Sequence, residues 1–306
     1  MKRISFCFLF LFSTFVSSAC TVCGCSASNQ YLGILPQFHK HFVGLQYQFR
    51  SFQSEHPGHE LNQSSSFSNE YYSTVQAWGR FNAGKRIQLF AFVPYISNIK
   101  KENGASTAIN GLGDVTLLGN YRILGVNENP INTWQHNLQA GGGIKIPTGA
   151  YDKSSVQKAE GLPNMQPGTN SWDFIVNANY TLRRKKAGVN LDASYTLLTP
   201  NSLQYKYGNR LSAGLMGFYW YQKSNTTILP QIGLRYDRAN ADYDNYKYNI
   251  KSDMSGGEQL YVSTGVQAYY KRVGLQLMYH HPVMQHYASG LVTSKVKTEA
   301  GVYFLF

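Results

Sequence analysis

The sequence predicts an all-β chain that closes into a transmembrane barrel of twelve antiparallel strands. Three observations point to this fold class. Apolar and polar side chains alternate along many segments. The connections between these segments alternate between short and long, and the last segment ends at the final residue, Phe306. An apolar strand at a chain end is prone to aggregate unless a neighbour pairs with it, so we expect the first strand to pair with the last.

The composition is rich in aromatic residues and poor in charge. The 306 residues include 23 Tyr and 17 Phe, and only 14% are charged, which favours contact with lipid. After Ala19 no apolar run approaches the roughly 18 residues that a spanning helix needs, which excludes a helical membrane protein. A barrel fits the slightly negative mean hydropathy, because its lipid-facing and lumen-facing residues alternate and offset one another.

The N-terminus has the parts of a secretory signal. Two basic residues precede an apolar core and a run of small residues that ends at Ala19. We interpret residues 1–19 as a signal peptide, residues 20–41 as a periplasmic N-terminal segment that carries cysteines, and residues 42–306 as the barrel. The formal net charge of +12 fits turns and loops beside anionic lipid head groups. An exported chain without a basic helix is not expected to bind nucleic acid.

Three cysteines follow the predicted cleavage site, at Cys20, Cys23 and Cys25. Three interpretations stay open: lipidation of Cys20, a short tethering or pairing segment, or a soft metal site. In the last of these, the thiolates hold Cu or Zn, alone or with His39 and His41. No other cofactor is expected.

Alternation begins after the cysteine segment. The first strand runs from Val43 to Phe52, with apolar side chains at odd positions and polar ones at even positions. The following ten predicted strands cover residues 71–81, 87–95, 115–123, 134–146, 172–183, 189–197, 207–221, 226–237, 259–270 and 273–280. The twelfth is Lys295 to Phe306. Pro230 is a misfit because proline cannot donate to a ladder, so we expect a bulge or the membrane rim there.

The connections sort into two sets. Those after strands two, four, six, eight and ten are short, and most of the others are long, with the longest at 148–171 and 239–257. An outer-membrane barrel has short periplasmic turns and long external loops, and an even strand number leaves both termini in the periplasm. A polar loop is expected between the third and fourth strands. A soluble sandwich with one wet face would explain the alternation but not the signal, the terminal Phe and the loop rhythm together.

Aromatic residues at strand ends are expected to form girdles at head-group level. They are Tyr71, Tyr95, Trp134, Trp172, Tyr195, Trp220 and Tyr221.

Several stretches resemble known barrels. The last strand is similar to the C-terminal strand of bacterial outer-membrane barrels, which ends in Phe, and this implies recognition of Phe306 by the barrel assembly machinery. The stretches Gly111-Leu112-Gly113-Asp114 and Gly143-Ile144-Lys145-Ile146-Pro147-Thr148-Gly149 resemble the outer-membrane transporters grouped under the meta-pathway of phenol degradation. This resemblance covers roughly residues 70–306. The N-terminal Cys23-Gly24-Cys25-Ser26 looks like barrels of Bacteroidota.

The resemblance implies a transporter in the outer membrane of a Gram-negative bacterium, in contact with lipid. It does not carry phenol over as the substrate.

The candidate site is the lumen. Charged side chains collect on the inward parity, where they predict either a paired polar core or a path for small solutes. The predicted lining residues are Arg50, Arg80, Asp114, Arg122, Lys145, Asp173, Asp192, Arg210, Arg235 and Glu299. A second inward set consists of glycines, whose missing side chains are expected to leave a passage: Gly141, Gly143, Gly214, Gly233 and Gly265.

The predicted function is an outer-membrane transporter or channel for small solutes. The alternatives are a metal-linked barrel that binds Cu or Zn through the cysteines, and a non-conducting structural barrel. An enzyme is not expected, because His136 lies near the short-turn rim and His280-His281 is interpreted as the start of a loop. Neither has a Ser and an acid at a suitable spacing.

Overall fold

The computed structural model describes residues 40–56, 65–125, 134–153, 162–252 and 255–306, and most of them form β-strands. The strands are β1 Phe42–His56, β2 Ser66–Ala83, β3 Ile87–Glu102, β4 Ala105–Leu112, β5 Val115–Leu124, β6 Trp134–Ile146, β7 Asp173–Arg184, β8 Ala187–Leu197, β9 Arg210–Tyr219, β10 Tyr221–Lys223, β11 Thr226–Ala239, β12 Tyr243–Asn245, β13 Ile250–Lys251, β14 Gly257–Tyr270, β15 Val273–Tyr287 and β16 Val292–Leu305. Two short 3-10 turns lie at Pro163–Met165 and Ala288–Gly290.

The strands close into a ring. Each wall strand pairs antiparallel with its neighbours in chain order, from β1 round to β16. β4 and β5 pair with successive halves of β3, and β9 and β10 pair with successive parts of β11. β12 and β13 form a separate small hairpin outside the wall. Counted around the wall, this is a closed antiparallel barrel of twelve strands, as the sequence predicts.

The ring closes between the first and last strands. β1 pairs with β16 from Phe42 opposite Leu305 to Ser54 opposite Val292. The expected pairing of the two terminal strands is therefore confirmed.

Alternation decides which face of the wall each side chain occupies. On β1, Val43 and Leu45 are 54% and 53% exposed, whereas Gln46 between Leu45 and Tyr47 is 4% exposed. The other wall strands repeat this arrangement, so the outer wall is an apolar surface suited to hydrocarbon and the inner wall carries the amides and charges. None of the helices among the described residues is long or apolar enough to span a membrane.

Several strands extend further at the loop end than the sequence predicts, among them β3 and β15. The predicted polar loop between the third and fourth strands is a hairpin, in which β3 and β4 are joined by the left-handed residues Asn103 and Gly104, with φ of 49° and 80°. β15 likewise continues to Tyr287, so His280 lies within a strand and the predicted loop start is wrong. Most of β4 is exposed on both faces, which removes the alternation that marks a half-buried strand.

One proline also bears on the predictions. Pro230 lies where the neighbouring strand is interrupted between β9 and β10 at Trp220, whose backbone N–H donates to the carbonyl of Lys186 instead. Proline has no N–H to donate, so a gap in the ladder opposite Pro230 forfeits fewer backbone hydrogen bonds than a gap elsewhere would.

Candidate functional site

An apolar cluster fills the interior beside the short turns. The ring of Trp78 lies 4.6 Å from that of Phe42, 5.7 Å from Phe92 and 5.7 Å from Tyr303. The cluster consists of Phe42, Trp78, Phe90, Phe92, Leu118, Ile175, Met216, Phe218, Leu229, Tyr269, Met278, Tyr303 and Leu305. The sequence interpretation of a lumen lined by charged and polar residues missed this cluster. Its signal was large apolar residues on the inward parity near the turns.

A charged network crosses the middle of the interior. Arg235 on β11 approaches the Asp192 carboxylate on β8 at 3.1 Å, and it donates to the Ser212 hydroxyl at 2.9 Å. The Lys297 ammonium on β16 lies 3.4 Å from Asp237 and 4.0 Å from Glu299. Three of the predicted lining residues, Asp192, Arg235 and Glu299, therefore belong to this network. Its members come from four strands, β8, β9, β11 and β16. Paired charges of this kind satisfy one another in a low-dielectric interior.

A second ion cluster lies in the barrel interior at the loop end, against β5, β6 and β7. The Lys145 ammonium lies 2.5 Å from Asp173 and 3.2 Å from Asp114, and it donates to the Thr169 hydroxyl at 2.8 Å. Asp114 also accepts from the backbone of Gly149 at 2.9 Å and of Thr169 at 2.9 Å. Three predicted residues therefore meet here, and together they bind both ends of the connection between β6 and β7.

That connection turns into the barrel mouth. Pro163, Asn164 and Met165 are buried, and the Met165 carbonyl accepts from Asn98 at 2.9 Å. The Pro163 carbonyl accepts from the Tyr207 hydroxyl at 2.7 Å. Met165 belongs to a buried cluster with Phe52, Tyr72, Tyr287, Ala288 and Val292 from the far wall. We call residues 162–171 the inner loop; it spans the mouth from β6 and β7 to β1, β2 and β15.

The other four predicted arginines lie at different places in the barrel. Arg80 donates to the Lys40 carbonyl at 2.7 Å and lies 5.2 Å from the ring centroid of Phe42. Arg122 donates to the Lys85 carbonyl at 3.2 Å, so both hold backbone at the short-turn end. Arg210 is buried on β9, and Arg50 is half-buried on β1, opposite Lys297 of the charged network.

The predicted glycine passage is wrong. A Cβ at Gly233 would lie 2.8 Å from the Met216 sulfur, and one at Gly265 would lie 2.2 Å from the Met278 sulfur. The Gly214 space is taken by Asp192 and Arg235, that of Gly141 by Asn120, and that of Gly143 by Leu118. The glycines therefore make room for neighbouring side chains and do not open a bore.

His280 also differs from the prediction. It is buried on β15, its Nδ1 lies 2.7 Å from the Ser263 hydroxyl, and its Nε2 lies 3.5 Å from Glu299. Serine, histidine and acid thus do meet across three neighbouring strands, contrary to the sequence interpretation. Ser263 is 0% exposed, so a substrate could reach its hydroxyl only through the packed interior. The arrangement is that of a buried hydrogen-bonded network.

Amide side chains line the same interior. Gln231 and Asn120 are 4% and 1% exposed, and within the described ranges their side-chain amide atoms lack hydrogen-bond partners. The Asn177 amide is in the same position. Buried amides are normally hydrogen-bonded, so these groups are suited to contact polar molecules in the bore.

Three external loop segments are tied together by Asp242. Its carboxylate accepts from the Tyr205 hydroxyl at 2.7 Å and from the backbone of Gly208 at 2.7 Å, while its own N–H donates to Ser255. Burial raises the pKa of the Asp242 carboxyl, and the hydrogen bonds from Tyr205 and Gly208 oppose that shift. Burial also raises the pKa of Tyr205 and of Tyr207 well above the usual value, so both phenols stay neutral.

The comparisons with known proteins agree with this architecture. The model of the family described as "Putative MetA-pathway of phenol degradation" matches residues 46–279. The chain belongs to this family. Its fold is similar to that of an outer-membrane channel from Pseudomonas putida F1, at 16% identity and a TM-score of 0.63 over 87% of this chain and 96% of that one.

A more distant likeness is to the β domain of the Bordetella autotransporter BrkA, at 10% identity and a TM-score of 0.48 over 87% of this chain and 99% of that one. No curated protein matches the sequence. This family member is a barrel of the Gram-negative outer membrane, in contact with membrane lipid.

The predicted metal ligands of this family member lie mostly beyond the described ranges. Cys20, Cys23, Cys25 and His39 fall there, so the metal interpretation stays a prediction. His41 stacks on Phe306, and its Nδ1 accepts from the backbone of residue 82 at 3.1 Å, which occupies one of its two ring nitrogens. Within the described part, no group of three or more His, Cys, Asp and Glu side chains could hold a metal ion.

Proposed function

We propose that this barrel is a channel for small polar solutes that is closed in the conformation described. The observation that carries the proposal is the polar lining of the middle of the barrel, where amides and paired charges replace the apolar core of an ordinary domain. Membership of the family and the likeness to an outer-membrane channel support this role.

Two structures block the path. The apolar cluster fills the short-turn end, and the inner loop fills the mouth. The inner loop is the part better suited to move, because its contacts to the wall are a few hydrogen bonds, one ion cluster and the packing of Met165, whereas the apolar cluster is continuous with the wall strands. Opening would therefore begin with release of the inner loop from Asp114 and Lys145.

Asp114→Asn tests this proposal. The amide keeps the volume of the carboxyl but loses the ion pair with Lys145, and only one of its two terminal atoms can accept a hydrogen bond. Hydrogen bonds to charged groups contribute about 1.5–3 kcal/mol, so we expect an increase in open probability of roughly tenfold in planar bilayers. The exposed Asp244→Asn variant, whose carboxyl lies outside the bore, should conduct like the parent protein.

Solute uptake into vesicles completes the test. Small sugars or amino acids should enter faster through the Asp114→Asn variant than through the Asp244→Asn control. Current and uptake at the level of protein-free membranes for both variants and the parent would contradict the channel and favour a structural barrel.

We also retain, as a proposal, the metal site of Cys20, Cys23 and Cys25 with Cu or Zn, and we do not propose an enzyme. Loss of stoichiometric Cu(I) or Zn(II) binding in a variant with Cys23→Ser and Cys25→Ser would support the metal site, and unchanged binding would dispose of it.

A further inference from the structure

A basic cavity lies on the outside of the barrel at its loop end. It has a volume of about 500 Å³, and its lining includes Lys206, Arg238 and Lys251 as cations and Glu258 as the acid. His286 and Tyr243 also line it. The formal charge of the lining is positive, so the cavity favours an anion.

Backbone pairing places the two lysines on either side of Tyr243. Tyr243 pairs with Lys206 on one side and with Lys251 on the other. Both ammonium groups lie over the same Tyr243 ring, at 5.4 and 5.5 Å from its centroid. Both cations line the cavity beside this ring, so each contributes to the attraction of an anion that enters it.

The cavity opens at the lipid-facing wall. Arg238 alternates with the inward Asp237, and it follows the outward Leu234 and Tyr236 on the same face of β11. On the neighbouring strands, Arg238 lies opposite Glu258 of β14, and Glu258 lies opposite His286 of β15. The cations therefore lie directly beyond the apolar band, at the level where lipid head groups meet the wall.

An apolar groove on the outer wall runs up to this cavity. Its floor is formed by Ala178, Ala193 and Ala213, which lie side by side on three neighbouring strands, and it ends at Tyr236. The groove has a volume of about 410 Å³. From Ala178 to Tyr236 it crosses three strand intervals, about 14 Å at the usual strand spacing. The short side chains of the alanines, with leucines on either side, leave this groove open to an apolar chain.

Tyr236 connects the groove with the cavity. Its ring lines the groove, and its hydroxyl donates to the Glu258 carboxylate at 2.6 Å. Glu258 lines the cavity, so the acid is already engaged by a donor at the boundary. An incoming anion would therefore meet the three cations while the Glu258 carboxylate is already hydrogen-bonded to Tyr236.

We propose that groove and cavity together bind one phosphate-bearing lipid of the outer leaflet, with an acyl chain along the alanines and a phosphate between Lys206, Lys251 and Arg238. Charge complementarity and the continuity of an apolar groove with a basic cavity at head-group level select this occupant over a protein or a free anion. The site lies outside the bore and is independent of the proposed conduction.

Native mass spectrometry of the delipidated full-length barrel in neutral detergent tests the site, with bis-phosphorylated lipid A as the probe. A variant with Lys206→Gln, Arg238→Gln and Lys251→Gln should bind it at least about tenfold more weakly than the parent. The matched control neutralises three exposed cations at the short-turn end, Arg184→Gln, Lys185→Gln and Lys186→Gln, and should bind like the parent.

Two further arms identify the occupant. Ala193→Trp fills the groove and should weaken lipid binding while leaving the cations in place. Dephosphorylated lipid A should bind the parent as weakly as the phosphorylated lipid binds the triple cavity variant. Equal lipid binding by the parent and the cavity variant would overturn the proposal. Tight binding of inorganic phosphate that Ala193→Trp does not alter, with no preference for lipid, would also overturn it. Folding of every variant is checked by the change in its gel mobility on heating. The conductance of every variant should equal that of the parent.

Discussion

At the residue scale, the inward glycines show how the interior is packed. Gly233 and Gly265 face methionine side chains from the adjacent strand, whose sulfurs lie where a Cβ would be. Methionine is flexible and fills irregular space, so a glycine opposite it allows close packing across the pair of strands. Gly217 differs, because it lies on the outer face and a Cβ there would come no nearer than 3.6 Å to the Ile232 carbonyl.

Gly265→Ala should destabilise the barrel, since the new methyl group would meet the Met278 sulfur at 2.2 Å and the Leu277 carbonyl at 2.4 Å. Overpacking of this kind costs about 1–3 kcal/mol. The measurement is the urea midpoint of unfolding in lipid vesicles, followed by tryptophan fluorescence. Gly217→Ala, the matched control, should leave the midpoint within error of the parent. Equal midpoints for both variants would contradict the packing described.

The sequence could assign the face of a residue but not its partners. Period-two alternation placed Val43 outside and Gln46 inside, because a strand sends successive side chains to opposite faces. The meeting of Ser263, His280 and Glu299 depends on the relative register of three strands, which no single segment encodes. The glycine passage failed for the same reason, since the space beside a glycine belongs to the neighbouring strand.

At the element scale, the loop end holds most of the structure that the sequence did not predict. The inner loop was predicted only as a long connection, because its direction is decided by Asp114, Lys145 and the far wall. The β3–β4 hairpin extends beyond the wall, where both of its faces are exposed to water, so apolar and polar residues no longer alternate along it. Alternation is a signal of half-burial, so it fades wherever a strand leaves the membrane.

The Asp242 contacts should make the external loops sensitive to pH. Burial raises the pKa of this carboxyl above its ordinary value of 3.8. In the window between those two values the folded protein holds the proton more tightly than the unfolded chain does. The loop arrangement therefore gains stability as pH falls through that window, and loses it as pH rises through the folded pKa.

Hydrogen exchange at residues 205–208 and 242, corrected for its intrinsic pH dependence, measures this effect. Protection in the parent should increase as the pH falls through the window between the folded pKa and the ordinary value of 3.8. Asp242→Asn removes the titrating group and should flatten the profile, whereas Asp244→Asn on the exposed hairpin should keep the parent slope. Parallel slopes for the parent and Asp242→Asn would show that another group is responsible.

At the scale of the whole molecule, closure of the wall makes the two ends of the barrel unequal. The start of β1, the C-terminal Phe306 and most short turns lie at one end, and the inner loop, the Asp242 contacts and the β3–β4 hairpin lie at the other. Outer-membrane barrels direct short turns to the periplasm and longer loops outward. The twelve strands, their order and this polarity were all accessible from the sequence, because each rests on alternation and connection length alone.

Cysteine labelling in intact cells tests the orientation. In a background with Cys20, Cys23 and Cys25 replaced by Ser, Asn103→Cys in the β3–β4 turn should react with a membrane-impermeant maleimide. Lys185→Cys in the turn between β7 and β8 should react only after the outer membrane is permeabilised. Both positions are exposed, so a difference in reactivity reports the side of the membrane. The reverse pattern would invert the barrel.

The interruption at Trp220 has a consequence for how the wall comes apart. Opposite it, Pro230 cannot supply a donor, so the contact between β9 and β11 ends at Phe218 and resumes only at Tyr221. The β5–β6 ladder also shifts register at its short-turn end, between Arg122 and Leu124. The β1–β2, β2–β3, β7–β8 and β11–β14 ladders run uninterrupted there. Fraying under load or denaturant should start at this gap and spread along β9, which makes it the natural weak seam of the ring.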